Sequence, residues 1–480
     1  MNMLQVQKDR VVDAEGKAMV LRGTCIGGWM NMENFINGYP GAENGIRSSF
    51  AEILGRERAE FFFNRLLDYF LSEEDIAFLK KCGSTVVRLP LNYRHFEDDA
   101  DPFQYREGGF TRLDRVLDWC EKNNLYAILD LHAVPGSQNS SWHSDNSSRH
   151  PLLWVHRHFQ DRLVELWKEF ARRYKERAVI AGYNLMNEPY SGELSGRFAP
   201  KGSPNWDAIN RLYRRLVSNI REIDPYHIIF LEGDYYSLLF DGLEEPFAPN
   251  LIYSSHNYNP AGFGPGTYPG EIGGEHWDRR KQEDIFKAHE GTRYVHKYKV
   301  PILIGEFGSV YNGPEKEVED RLRALDDQLD VFEQYGAHWT TWTYKDIGVM
   351  GWVMLDPESE YMERIRPVLK MKQELYTDFW MKWLPATKAK IMVQDLTRHI
   401  HSVCGQPDTD LGALEQYLVQ AALSGFTGTF LQPAMARLFR SLSEEKMDEI
   451  LSSFAFRKCI QNEGLLEVVR KHSIKTEVSP

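Results

Sequence analysis

The 480-residue chain predicts an α/β fold: a (β/α)8 TIM barrel with long βα loops and a helical C-terminal extension. Three observations point to it. Eight short runs rich in apolar, β-branched and aromatic residues recur between residues 20 and 344. Most of these runs are continuous rather than alternating, as strands buried on both faces of a parallel sheet must be. Helical patterns separate most of the runs, and six of the eight end on polar or charged residues, at the edge where such barrels gather their chemistry.

The elements follow in order. A hairpin over 11–20, turning near Glu15-Gly16, leads into strands expected at 20–28, 85–91, 127–132, 180–187, 227–233, 251–258, 301–307 and 338–344. Ser72-Glu-Glu-Asp75 reads as a capping box, in which hydroxyl and acid satisfy free helix N–H groups reciprocally. Thr111-Arg-Leu-Asp114 opens a second helix, with Leu113, Val116, Leu117 and Cys120 on one face. Helical spacing recurs at 159–174, 206–223, 285–298 and 318–335, while 231–251 is tight for a full helix, so that unit is reduced. Segments 29–84 and 133–151 are insertions behind the first and third strands, the second carrying Trp142 and His143; both are expected to line a pocket. The glycine-rich loop 262–270 is not a nucleotide fingerprint, since no helix follows its glycines closely. Beyond Pro385 the pattern turns helical at 388–403, 411–423, 435–442 and 444–454, with no clear strand. The expected division is a catalytic barrel with its hairpin over 1–384 and a helical extension over 385–480. The extension is expected to pack on the barrel, with capping the barrel or forming a homo-oligomer contact as the alternatives.

Composition narrows the function. A hydrophobic fraction of 42% and a charged fraction of 26% are those of a soluble globular protein. The net charge, 57 − 69 = −12, argues against nucleic acid and anionic membranes as partners. Cys25, Cys82, Cys120, Cys404 and Cys459 are scattered, with no CxxC, and read as buried free thiols. The first ten residues carry no apolar signal core and no apolar run is long enough to span a membrane, so the expected address is cytoplasmic. His150, His156, His158, His399 and His401 form no metal-ligand pattern.

The strand ends carry the chemistry. They read Arg88-Leu-Pro, Asp130-Leu-His132, Asn187-Glu188-Pro, His256-Asn-Tyr258, Gly305-Glu306-Phe and Trp342-Thr-Tyr-Lys-Asp346. A carboxylate closing an apolar strand is costly in a core. Two facing one cleft are the minimum equipment for breaking a glycosidic bond. A retaining reaction needs them about 5–5.5 Å apart, which strands four and seven of a narrow barrel can supply.

On these residues, with Leu21-Arg-Gly, the chain resembles glycoside hydrolase family 5, the cellulase-type barrel glycosidases of clan A, over roughly 10–380. The resemblance implies that Glu188 is the acid/base and Glu306 the nucleophile of a retaining β-glycoside hydrolase. It places Arg88, His132, Asn187, His256, Tyr258 and Trp342 at matching positions. Arg88 and Tyr258 would keep Glu306 ionised, and the Glu306 charge would raise the Glu188 pKa. Asn187 would bond the sugar 2-hydroxyl, His132 and His256 would orient the site or bind sugar, and Trp342 would floor it. Such hydrolysis needs no metal or organic cofactor. Residues 130–139, ending in Asn139, are similar to β-1,3-glucanase and β-glucosidase branches; Gly27-Gly-Trp29 is similar to those and to glycolipid-cleaving ones. Asn139 and Trp29 therefore join the expected substrate-binding set. The substrate implied is a small-molecule or oligosaccharide β-glucoside cleaved in exo or pocket mode. Endo-β-glucanase, glycosylceramide-type hydrolysis and transglycosylation are the catalytic alternatives. A non-catalytic glycan-binding barrel and a metal-dependent hydrolase are the alternatives of another class.

Overall fold

The computed structural model describes residues 1–192, 203–381, 387–405 and 411–474. Eight parallel strands close into a barrel in chain order: β1 (Arg22–Cys25), β2 (Val86–Asn92), β3 (Tyr126–Ala133), β4 (Ile180–Asn184), β5 (Ile228–Glu232), β6 (Leu251–His256), β7 (Ile302–Glu306) and β8 (His338–Thr341). Closure is made by β8 on β1, with Trp339 opposite Arg22 and Thr341 opposite Thr24. Each strand falls on one of the eight apolar runs, with Asn92 of β2 and Tyr126 and Ala133 of β3 one residue past the expected bounds.

The two ends of the barrel are filled differently. At the N-terminal end Leu21, Val86, Ile128, Ala181, Ile228, Phe230, Ile252 and Leu303 form one apolar layer. A three-stranded antiparallel sheet (Gln5–Gln7, Arg10–Val12, Ala18–Met19) plugs it with Leu4 and Val11. Gly16, at φ +79°, makes the tight turn of this hairpin.

The capping box at Ser72 forms, the Asp75 carboxylate accepting from the Ser72 N–H at 2.8 Å. The unit after β5 is reduced to the single turn Asp234–Ser237. Three expectations need correction, and the first insertion acquires elements that no expectation had covered. The helix expected from Thr111 begins at Glu107, because the preceding glycines add turns without interrupting the apolar stripe. The stretch 285–298 is two helices, Arg279–Ala288 and Glu290–Tyr298, parted at His289, whose extended backbone caps the second. The first insertion is substantially helical (Glu43–Leu54, Arg56–Phe70). And the tail does contain a strand, Cys459–Gln461, which pairs antiparallel with Val353–Leu355.

From Gly428 onward the tail shares the barrel's core. Phe439 packs 4.8 Å from Phe62 and 5.7 Å from Phe50, and Phe454 lies 5.7 Å from Phe70, between ring centroids. Met435, Met447, Leu451, Leu466 and Val469 join the same cluster. Full burial of each such side chain contributes roughly 1.5–3 kcal/mol, so this part of the tail braces the first insertion. The expected boundary at 384/385 lies outside the described residues. Cys25, Cys82 and Cys120 are buried and unpaired as expected, but Cys459 is half-buried and Cys404 exposed, both on the tail. No helix among the described residues is long and apolar enough to cross a membrane.

Candidate active site

A cavity of about 390 Å³ opens at the C-terminal end of the barrel, lined among others by Glu188, Glu306, His132, Tyr258 and Trp342. That volume is near the lower end for small-molecule sites. Glu188 follows β4, Glu306 closes β7, and His132, Tyr258 and Trp342 lie at or just past the ends of β3, β6 and β8. Arg88, Asn187 and His256 stand behind the wall, fully buried.

Arg88 organises the floor. Its Nη1 donates to Glu306 Oε1 at 2.8 Å, its Nη2 to Asn187 Oδ1 at 2.7 Å and Glu232 Oε1 at 3.1 Å, and its Nε to Asn184 Oδ1 at 3.1 Å. Asp130 Oδ2 is a further 3.1 Å from Nη2. Burial works against this charge, but the carboxylates of Asp130, Glu306 and Glu232 reverse the effect and hold the guanidinium firmly protonated. Tyr258 Oη donates to Glu306 Oε2 at 3.0 Å. Glu306 thus receives one donor on each oxygen. Burial and the charges of Glu306 and Glu188 keep the Tyr258 phenol protonated.

Glu188 sits between two histidines. Its Oε1 is 2.6 Å from His256 Nδ1 and its Oε2 3.1 Å from His143 Nε2. The backbone at Glu188 is left-handed (φ +45°), a conformation costing about 1–3 kcal/mol for a non-glycine residue. Two hydrogen bonds hold it there: the Glu188 N–H donates to Glu232 Oε2 and the Asn139 amide donates to the Glu188 carbonyl, each at 2.8 Å. The expectation that Glu306 raises the Glu188 pKa is corrected. Burial raises it, but His143 and His256, lying against the carboxylate, bring it below its ordinary value. His256 is the counterpart: burial lowers it, while Glu306, Glu232 and Glu188 together push it up to about 9. His132 follows the same pattern, with Asp130 at 2.8 Å outweighing burial and lifting it to about 10.

Trp342 stacks on His132 at 5.1 Å and 14°, giving the pocket a flat aromatic side. Gly27 permits this, since a Cβ there would stand 2.7 Å from the Trp342 ring. Trp29, expected at the substrate, is instead core. It is 1% exposed and donates its indole N–H to the Leu67 carbonyl, because the helices of the first insertion fold back over it. Asn139 is buried too and acts through the Glu188 backbone and His143.

Residues outside the expected set complete the site. Glu33 lines the cavity with its Oε1 3.4 Å from His132 Nε2. Glu232 links Arg88 to the Glu188 backbone. Phe35, Phe263 and Trp380 form an aromatic edge, Trp380 lying 4.8 Å from Phe35 and 6.1 Å from Phe263. Trp142 and His143, on the insertion after β3, line the cavity as that insertion was expected to. An acid closing the fifth apolar run was a readable signal for Glu232; Glu33 and Trp380 had none, being single residues in loop and tail.

One ligand atom each of Glu188, His256 and Glu306 lie within 4.8 Å of one another. These atoms are near enough to ligate a cation, but the Arg88 guanidinium at 2.8 Å from Glu306 opposes a second positive charge there. Two carboxylates this close suit direct attack by one of them and leave too little room for a water between them, which needs about 6.5–9.5 Å.

Comparison with known proteins agrees with this geometry. The model for cellulase, glycosyl hydrolase family 5, matches residues 60–348. A protein named beta-xylosidase from Phanerodontia chrysosporium is 36% identical over 98% of both chains. Endoglucanase C of Acetivibrio thermocellus is 26% identical over 60% of this chain and 87% of its own. A probable glucan 1,3-beta-glucosidase A of Aspergillus clavatus is 26% identical over 70% of this chain and 85% of its own.

Proposed function

This chain belongs to glycosyl hydrolase family 5, the cellulase family of retaining β-glycoside hydrolases, and we propose that it cleaves small β-glucosides or short β-gluco-oligosaccharides from a pocket, in exo mode. The observation that carries the reading is the close Glu188–Glu306 pair at the floor of a small cavity walled by both insertions.

Glu306, held by Arg88 and Tyr258, attacks the anomeric carbon as the glycosidic bond breaks, and Glu188 passes its proton to the leaving oxygen. The glycosyl ester on Glu306 removes one negative charge. Glu188, now a carboxylate, takes a proton from water; the water oxygen attacks the anomeric carbon and Glu306 departs. Asn187, fixed by Arg88, bonds the 2-hydroxyl, and Trp342 floors the sugar. His132 and His256 orient these groups. Five unpaired cysteines suit a reducing compartment, and we place the protein in the cytoplasm on that ground; cell fractionation tests it.

The beta-xylosidase relative at 36% identity favours a second reading, a β-xyloside as substrate. Trapping with 2-deoxy-2-fluoro β-glucoside and β-xyloside, followed by peptide mapping, tests all of this. Label is expected on Glu306, and the sugar that traps faster names the substrate. Label elsewhere refutes the nucleophile, and internal cutting of long polymers with no action on aryl glycosides refutes the pocket mode.

A further inference from the structure

A buried lysine joins the two segments that form the aromatic edge of the cavity. Phe35 reaches the edge from the first insertion, and Trp380 from the chain that follows the helix Glu360–Glu374. Their rings meet at 4.8 Å and 68°. Such an edge-to-face pair contributes only about 0.5–1.5 kcal/mol beyond its burial, which does not offset the ordering of several loop residues. Lys372, on that helix, is 1% exposed. Its Nζ donates to the Asn34 carbonyl at 2.9 Å and stands 3.3 Å from Asp378 Oδ2. Asn34 precedes Phe35, and Asp378 lies two residues before Trp380. One amine thus touches the backbone behind one ring and the side chain just ahead of the other.

The local sequence explains the placement. Tyr361 and Lys372 are eleven residues apart, three helical turns, so they share a face. Tyr361 Oη donates to the Asn37 carbonyl at 2.7 Å, so this face of the helix carries the 34–37 loop at two points. The helix then ends in a Schellman turn. The Tyr376 N–H donates to the Gln373 carbonyl at 3.2 Å and the Thr377 N–H to the Lys372 carbonyl at 3.0 Å. Tyr376 takes the left-handed place, φ +57°, where glycine is usual. Lys372 therefore holds the departing chain twice, by its carbonyl at Thr377 and by its amine at Asp378. Burial pulls the Lys372 pKa below its ordinary value, and Asp378 opposes that pull. An apolar side chain could fill the same space without the desolvation cost, so what the amine supplies is the placement of its two partners.

We infer that Lys372 is a positioning residue for substrate binding, fixing Phe35 and Trp380 in one edge-to-face arrangement at the edge of the cavity. The inference rests on the reading of this cavity as the glycoside pocket. It concerns binding rather than bond cleavage, because Glu33, the neighbour that reaches His132, has an anchor of its own. The Glu33 N–H donates to Asn37 Oδ1 at 3.3 Å, and the Glu33 carbonyl accepts from the Ile36 and Asn37 N–H groups at 3.2 and 3.1 Å. Without the Lys372 amine the two rings lose their common support, while Glu188 and Glu306 keep all their partners.

The test is a double-mutant cycle between Lys372→Met and Trp380→Ala, on whichever of the nitrophenyl β-glucoside and β-xyloside is cleaved faster, with thermal unfolding to verify that each variant folds. Lys372→Met is expected to raise KM about 3–10-fold with kcat near wild type, the pattern of binding lost equally from ground and transition states. In the Trp380→Ala background the same substitution is expected to add less than about twofold, because residues that act through one another are not additive. Asp378→Ala cuts only the Trp380 side of the tie, from a half-buried position, and decides the matter where Lys372→Met does not fold. It is expected to raise KM as well, again without adding to Trp380→Ala. Full additivity, a fall in kcat at unchanged KM, or an unmoved KM in these variants while Trp380→Ala raises it makes Lys372 a support of the fold alone and overturns the inference. A KM unmoved by Trp380→Ala would instead take the aromatic edge out of the substrate pocket, and this inference with it.

Discussion

The two ends of this barrel are made from the same eight strands and solve opposite problems. At the N-terminal end Val86, Ile128, Phe230, Ile252 and Leu303 meet in a dry apolar layer under the hairpin plug. At the C-terminal end Arg88, Asp130, Glu232, His256 and Glu306 are just as buried but carry charge. The first end is stabilised by removal of apolar surface from water, which is non-directional and tolerant of local rearrangement. The second survives only because each charge is paired or hydrogen-bonded, since an unpaired buried ion costs several kcal/mol. The contrast shows where stability and reactivity are kept apart: losing a methylene at the bottom weakens the fold, while losing a partner at the top also misplaces the chemistry.

Five measurements break or sharpen that contrast, from the largest expected effect to the smallest. Glu306→Gln removes the attacking group and is expected to lower kcat by about 10⁴-fold or more, with little change in unfolding midpoint. Undiminished turnover would refute Glu306 as the nucleophile. Arg88→Met strips the partner from Glu306, Glu232 and Asp130 at once. It is expected to cost about 3–5 kcal/mol in chemical denaturation and to abolish turnover together. At the other end, Phe230→Ala is expected to cost a similar about 3–5 kcal/mol through its cavity but to leave kcat of the folded fraction near wild type. A large kcat loss there would show that the two ends are coupled.

The fourth concerns pH. His256 and His132 have folded values of about 9 and about 10, above the ordinary 6.5. Their contribution to stability is therefore complete below about pH 6.5 and drains away as pH rises through those values. The urea midpoint is expected to fall between pH 6.5 and 10, less steeply in His256→Asn; a midpoint rising across that window would contradict the pairing. The last separates two tryptophans. Trp29→Phe should cost about 1 kcal/mol of stability for its lost hydrogen bond and leave KM unchanged. Trp380→Ala, on the cavity edge, should raise KM severalfold at constant stability. The reverse result would return Trp29 to the substrate.

Much of this site could be read before folding was known, and the reason is geometric. A buried parallel strand must be apolar along its length, so Arg88 stands out inside its strand, and His132, Glu306 and Trp342 stand out near, at or just past the ends of theirs. Chain order then places Glu188 and Glu306 on strands four and seven. Trp29 failed because it lies in an insertion, where a tryptophan beside glycines reads the same whether it faces sugar or protein. The pressure on the Glu188 pKa was read with the wrong sign for a related reason: the Glu306 charge was visible as a neighbour in the barrel, but the closer His143 arrives from a loop with no fixed register. The strand Cys459–Gln461 had no alternation long enough to betray it, being three residues whose pairing partner lies about a hundred residues earlier.

The sequence by itself determined the barrel, its strand count, the two carboxylates and the family, because those follow from local periodicity and from residues tied to strand ends. Tertiary structure alone decided what surrounds the pair. It set which histidine touches which oxygen, which loop closes the pocket, and that the tail braces the first insertion through Phe439 and Phe454. These are contacts between segments far apart in the chain. Their free energy depends on mutual placement, which no single segment carries in its own pattern.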